Sequence, residues 1–196
     1  MRNPIHKRLE NVESWQTSNL YGLLMRTHGT ELCPVCQMTE QEQAEKTYHN
    51  ILNLVWEFLT VKGAKINFEN QLEKLEEIIP NVNDYDFFGV VPALDACEAL
   101  GELLHAIIAG ETLEKAIQIS QISLGTVCSL LETQENRDLS EAELKTREEI
   151  EEELDLQWQI YRLLKDCEKR DVDLILSLRN EIKQEGISNI GIKIEQ

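Results

Sequence analysis

The stretch PALDACEALGELLHAIIAG, from Pro92 to Gly110, carries apolar side chains around most of a helical circumference. At about 100° per residue, Ala93, Leu94, Cys97, Leu100, Leu103, Leu104, Ile107 and Ile108 leave a single polar strip. A helix of that kind cannot sit on a surface and has to be wrapped by others. Elsewhere the apolar residues also recur every three or four positions, and alternation of β-branched residues is nearly absent. The chain therefore reads as all-α, a bundle of about seven or eight helices.

Local signals place these helices. After a short opening segment from Pro4 to about Val12, a helix runs from near Ser14 to Thr27 with Trp15, Leu20, Leu23 and Leu24 inward, and His28-Gly29 stops it. Thr39 and Glu42 have the spacing of a capping box ahead of a long helix through Tyr48, Ile51, Val55 and Leu59 to Lys62-Gly63. A further helix runs from about Phe68 to Pro80, and NVNDYDFFG reads as a loop. Pro92 suits the first turn of the helix at 92–109, which Gly110 closes. ETLEKAIQISQISLGTVCSLLETQ is a helix of similar length, and Ser140 with Glu143 offers a second capping box. From Ile150 the stripe Leu154, Trp158, Tyr161 and Leu164/Lys165 marks another helix, and Val172, Ile175, Leu178 and Ile182 mark the last, ended by Gly186. Residues 186–196 alternate Ile190, Ile192 and Ile194, which suggests an extended tail that packs back or pairs with another chain.

A chain of 196 residues fits one domain, spanning 1–196 with the tail at its end. No window approaches the length of uncharged sequence that a membrane span requires, and the N-terminus lacks the apolar core of a signal peptide. With five cysteines, an odd number, the expectation is a reduced, cytoplasmic protein without disulfides. The formal net charge is -17, and residues 132–155 hold eleven acids against Arg137, Lys145 and Arg147. That field repels nucleic-acid backbones, and no basic stripe with aromatics counters it, so direct nucleic-acid binding is disfavoured and a basic protein is the partner that charge would attract.

Two clusters invite chemistry. Cys33 and Cys36 form a C-P-x-C step, but a structural zinc site needs two such pairs. Cys97, Cys128 and Cys167 stand alone, and His28 and His49 match no familiar zinc spacing. Redox motifs of this kind follow a strand, and none precedes Glu31, so the plain reading has both thiols packing as small apolar groups. The polar strip of the helix at 92–109 is the second cluster: Asp95, Glu98, Glu102 and His105 share an arc of about 80°. Glu102 and His105 form the Glu-x-x-His step of di-metal helix bundles, yet no other histidine has an acid at the matching distance. The strip reads first as the wet side of the helix and second as a metal or small-ligand site. Nucleophile elbows, phosphate loops and dinucleotide turns are missing, and glycine is scarce, with 9 in all. No catalytic residue and no cofactor can be assigned.

NPIHKRLENVESWQ, LTVKGAKINFENQLEKLEEIIP, FFGVVPALDACEAL, LLKDCEKRDVDLI and SNIGI together resemble the YjaG-like family of bacterial proteins, in the same order and across nearly the whole chain. The resemblance implies a compact, all-α cytosolic protein and carries over no catalytic residue. Cys33 and Cys36 lie outside these stretches, Asp95 and Glu98 lie within one, and His105 follows it. The sequence thus points to a non-enzymatic helical protein that works through protein contacts, self-association (a homodimer) among them, with a ligand-binding bundle as the alternative.

Overall fold

The helix anticipated around Pro92 occupies the centre of the molecule. The structure, a computed structural model, describes residues 3–13, 15–18, 22, 42–110, 113–167, 170–185 and 189–191. In chain order the elements are α1 (His6–Leu9), α2 (Glu42–Thr60), α3 (Phe68–Glu76), a 3-10 turn (Val82–Asp84), α4 (Val90–Ala109), α5 (Leu113–Glu135), α6 (Glu141–Leu144), α7 (Glu148–Lys165) and α8 (Val172–Glu185). Residues 15–18 are helical as well, and the described residues include no strand. The all-α, multi-helix reading holds.

Helix α4 buries Ala93, Ala96, Cys97, Ala99, Leu100, Leu103 and Leu104 almost completely. The small residues among them let neighbours approach closely, and α4 packs most extensively along α5 and then against α3. Gly110 ends it in the left-handed conformation, φ 70°, donating its N–H to the Ala106 carbonyl. Helix α5 in turn packs on α7, α2 on α3, and α8 on α2. One apolar cluster joins Tyr48, Val55, Trp56 and Leu59 to the α4 face and to Ile160, Leu164 and Ile175. A smaller one gathers Leu124, Val127, Leu131, Leu139, Leu144 and Ile150 where α5, α6 and α7 meet.

Several boundaries differ from the sequence reading. Helix α3 ends at Glu76, short of Pro80, with Asn67 capping its start by accepting from the Asn70 N–H. Helix α4 starts two residues before Pro92, and the proline still lies in the first turn, where no intrahelical N–H is needed. Ser140 and Glu143 do make a capping box, but it heads only the single turn α6, and α7 begins separately at Glu148. Arg137 and then Ser140 hold the Glu143 carboxyl down to about 2. The tail is described only at Asn189–Gly191, a turn whose Ile190 packs against the smaller cluster. Ile192 and Ile194 lie outside the described residues, as do the Thr39 cap, Leu20, Leu23, Leu24 and His28.

Two cations fasten α8 and the segment before it to α2. The Arg170 guanidinium donates to the carbonyls of Leu59 and Phe58, both at 2.7 Å, closing the C-terminal end of α2. Arg179 stacks 5.2 Å from the centre of the Trp56 ring and donates to Asn53 Oδ1 at 2.9 Å. Leu104→Ala, at the fully buried face of α4, should cost about 2–5 kcal/mol of unfolding free energy. Leu163→Ala, 46% exposed on α7, should change it by less than about 0.5 kcal/mol. Urea titration of the two variants checks this contrast.

Candidate functional site

The polar strip of α4 does not stay together. Its members differ by only about 80° of arc, but that arc straddles the edge of the α4–α5 seam. Asp95 and Glu102 fall on the seam side and are half-buried. Asp95 Oδ2 accepts from Thr126 Oγ1 at 2.7 Å, and Glu102 pairs with Lys115 Nζ at 2.5 Å, both partners lying on α5. Glu98 and His105 fall on the solvent side and are exposed. Glu98, Glu102, Gln118, Gln121 and Ile122 line an open groove of about 300 Å³ that neither Asp95 nor His105 enters. No group of three or more His, Cys, Asp or Glu side chains among the described residues is arranged to hold a metal ion. Cys33 and Cys36 lie outside the described residues.

The densest polar chemistry lies elsewhere, between α5 and α7, and the sequence reading missed it. Helix α7 turns Ile150, Glu153, Gln157, Ile160, Tyr161 and Leu164 inward. The stripe anticipated there, through Leu154 and Trp158, is rotated by about one residue from the face that is buried. Leu154 and Trp158 are half-buried, Trp158 packing edge-on to Tyr161 at 5.7 Å, and Lys165 is exposed. Glu153 and Gln157 are 3% and 1% exposed, facing Ser123 and Ser120, at 0% and 1%, on α5.

Buried polar atoms cost free energy unless they are matched, and here the matching runs in one direction. Gln157 Oε1 accepts from Asn3 Nδ2 and from Ser120 Oγ, each at 2.6 Å. Gln157 Nε2 donates to Glu153 Oε1 at 2.6 Å and to the Ser120 carbonyl at 3.4 Å. Glu153 Oε1 also accepts from Ser123 Oγ at 2.5 Å, and Ser123 Oγ accepts from Asn189 Nδ2 at 3.2 Å. Since the Ser120 hydroxyl proton is spent on Gln157, the 3.0 Å contact of His6 Nε2 with Ser120 Oγ assigns the proton to Nε2. Ile5 and Leu9, 1% and 2% exposed, pin the N-terminal segment over this row.

The outer face of α7 is acidic. Glu148, Glu151, Glu152 and Asp155 are exposed within an arc of about 100°, and the acids of the first turn complement the helix dipole. Nearby, Arg137 pairs with Glu135 and Glu143, Arg147 with Glu135, and Lys145 with Glu141.

A family model described as a protein of unknown function, DUF416, matches residues 4–193. The chain belongs to the DUF416 family. An uncharacterized protein from Haemophilus influenzae is 67% identical over the full length of both chains. The YjaG proteins of Salmonella typhimurium and Escherichia coli are 49% and 47% identical, again over the whole of each. A crystal structure of a DUF416 family protein from Shewanella baltica superposes with a TM-score of 0.89 at 29% identity, covering 98% of this chain and all of the other. The resemblance read from the five sequence stretches is therefore correct.

In this DUF416 chain, Glu153 and Gln157 could have been found from sequence as polar residues four apart on the arc of Ile150, Ile160 and Leu164. Burial holds the His6 imidazole below its ordinary value of 6.5. The folded chain therefore binds fewer protons than the unfolded one just below pH 6.5, so this contribution to stability is complete above that value and is lost as pH falls through the lowered folded value. Between pH 7.5 and 5.5 the wild type should lose more urea resistance than His6→Gln does. Equal losses would contradict the role of His6.

Proposed function

We propose that this protein acts without catalysis, in the cytoplasm, through contacts with other proteins, and that a basic partner docks on the outer face of α7. The observation that supports this is the state of the charges. Arg137, Lys145 and Arg147 are already engaged by Glu135, Glu141 and Glu143, while among the described residues Glu148, Glu151, Glu152 and Asp155 have no cationic partner. The helix fixes the backbone beneath these four carboxylates, so no backbone ordering is needed on docking, and their field speeds encounter with a positive surface. No helix among the described residues is long and apolar enough to cross a membrane. The reading includes self-association as a homodimer, for which exposed Val61, Ile108, Leu113 and Leu163 offer apolar contact area.

Tagged protein purified from its own cell at about 50 mM and about 300 mM salt tests the docking face, because contacts between exposed charges are screened at the higher value. A basic partner should be retained at low salt, released at high salt, and lost from the variant Glu148→Gln, Glu151→Gln, Glu152→Gln, Asp155→Asn. Identical partners for wild type and variant would refute the proposal.

A second reading, a small-ligand site, is favoured by the groove between α4 and α5. Its walls supply the Glu98 carboxylate, the amides of Gln118 and Gln121 and the Glu102 carboxylate already paired with Lys115, and Gln118 Oε1 is buried with no hydrogen-bond partner among the described residues. Such acceptors suit an organic cation with N–H donors. A polyamine such as spermidine should raise the melting temperature of the wild type and not that of Glu98→Gln/Glu102→Gln, and an equal response from both proteins would remove this reading.

A further inference from the structure

The polar row between α5 and α7 joins residues near the two ends of the chain. From Asn3 the links run to Gln157, to Glu153, to Ser123 and to Asn189, at 2.6, 2.6, 2.5 and 3.2 Å. We propose that this row is a latch that couples the docking of the N-terminal segment, residues 3–9, to the docking of the turn at Asn189–Gly191, so that loosening either end loosens the other.

The coupling follows from the polarity of each link. The Gln157 amide has only one satisfied orientation, with Oε1 toward the donors Asn3 and Ser120 and Nε2 toward the acceptors Glu153 Oε1 and the Ser120 carbonyl. When Asn3 leaves, Oε1 loses one of its two donors in a site where burial is nearly complete. Turning the amide over to compensate would set Oε1 against the Glu153 carboxylate, acceptor against acceptor. Any resettling of Gln157 is therefore passed through its Nε2 to Glu153 Oε1, and from there to the Ser123 hydroxyl that Glu153 orients. Asn189 Nδ2 is held by that hydroxyl and by the Ser123 carbonyl at 3.3 Å, so its seat is disturbed from a distance.

Apolar contacts alone would not do this. Ile5 and Leu9 belong to the main cluster, and Ile190 packs against the smaller one. The described apolar anchors of the two ends therefore sit in separate clusters, and the polar row connects them directly. The latch is independent of what docks on the acidic face of α7. Any binder that displaces one end acts on the other, and by linkage the effect is the same in both directions.

Amide hydrogen exchange on the full-length protein tests the latch. The Ile5 amide donates to Asn3 Oδ1 and the Leu9 amide to the Ile5 carbonyl, so both report on the N-terminal segment. Asn189→Ala should speed exchange at Ile5 and Leu9 by about threefold or more, which corresponds to a coupling of roughly 0.65 kcal/mol or more, while α2 amides such as Ile51 and Val55 keep their wild-type rates. Ser123→Ala, which removes the hydroxyl between the two ends, should produce the same acceleration, and adding Asn189→Ala to it should produce no more. An Asn189→Ala effect below twofold at Ile5 and Leu9, an equal acceleration in α2, or an additive effect in the double variant would each overturn the proposal.

Discussion

The close approach permitted by small side chains on α4 is the constraint on which the remaining architecture rests. Ala93, Ala96, Cys97 and Ala99 leave little bulk on the first half of the helix, where α5 lies close, while α3 packs on the second half, with Leu75 over Gly101 and Leu100, Leu103 and Leu104 filling the space around it. Tyr48 of α2 reaches the same helix, its hydroxyl donating to the Ala96 carbonyl at 3.4 Å. Once α5 is fixed along α4, its adjacent face, carrying Ser120 and Ser123, becomes the wall against which α7 closes. The Gln157 amide and Glu153 Oε1, which α7 turns inward, find their partners there.

That second seam has a different character from the first. Where α4 meets α5 the contact is mainly apolar, with Asp95 and Glu102 held at its margin by Thr126 and Lys115. Where α5 meets α7 a carboxylate, two amides and two hydroxyls are sealed inside, and each link is short. Replacing such a row with hydrophobic residues of equal volume often leaves stability unchanged or raised, so net stability does not account for it. Its consequence is specificity, since it accepts only one placement of α1 and of the turn at Asn189.

The sequence made the helices legible because their apolar spacing is a local property. Ile51, Val55 and Leu59 of α2, or Leu100 and Leu104 of α4, announce a buried face whatever surrounds them. The inward face of α7 was not legible in that way. Leu154 and Trp158 are the larger apolar residues and drew the stripe toward themselves, whereas Glu153 and Gln157 can turn inward only because Ser120, Ser123 and Asn3 are waiting, at separations of 30 to 154 residues. The same limit applied to the strip from Asp95 to His105. Which members are wet depends on where the edge of α5 falls, and nothing within the α4 segment encodes it. The full-length match to a family of unknown function confirms the fold and the kinship and leaves the chemistry to be argued from the side chains.

The claim that α4 organises the fold is tested most directly by native-state hydrogen exchange across a urea series. The amides of Leu100, Leu103 and Leu104 should exchange only through global unfolding, with an opening free energy equal to that from the urea transition and at least as large as that of any amide in α2, α5 or α7. Opening of α4 at a lower free energy than its neighbours would contradict the account.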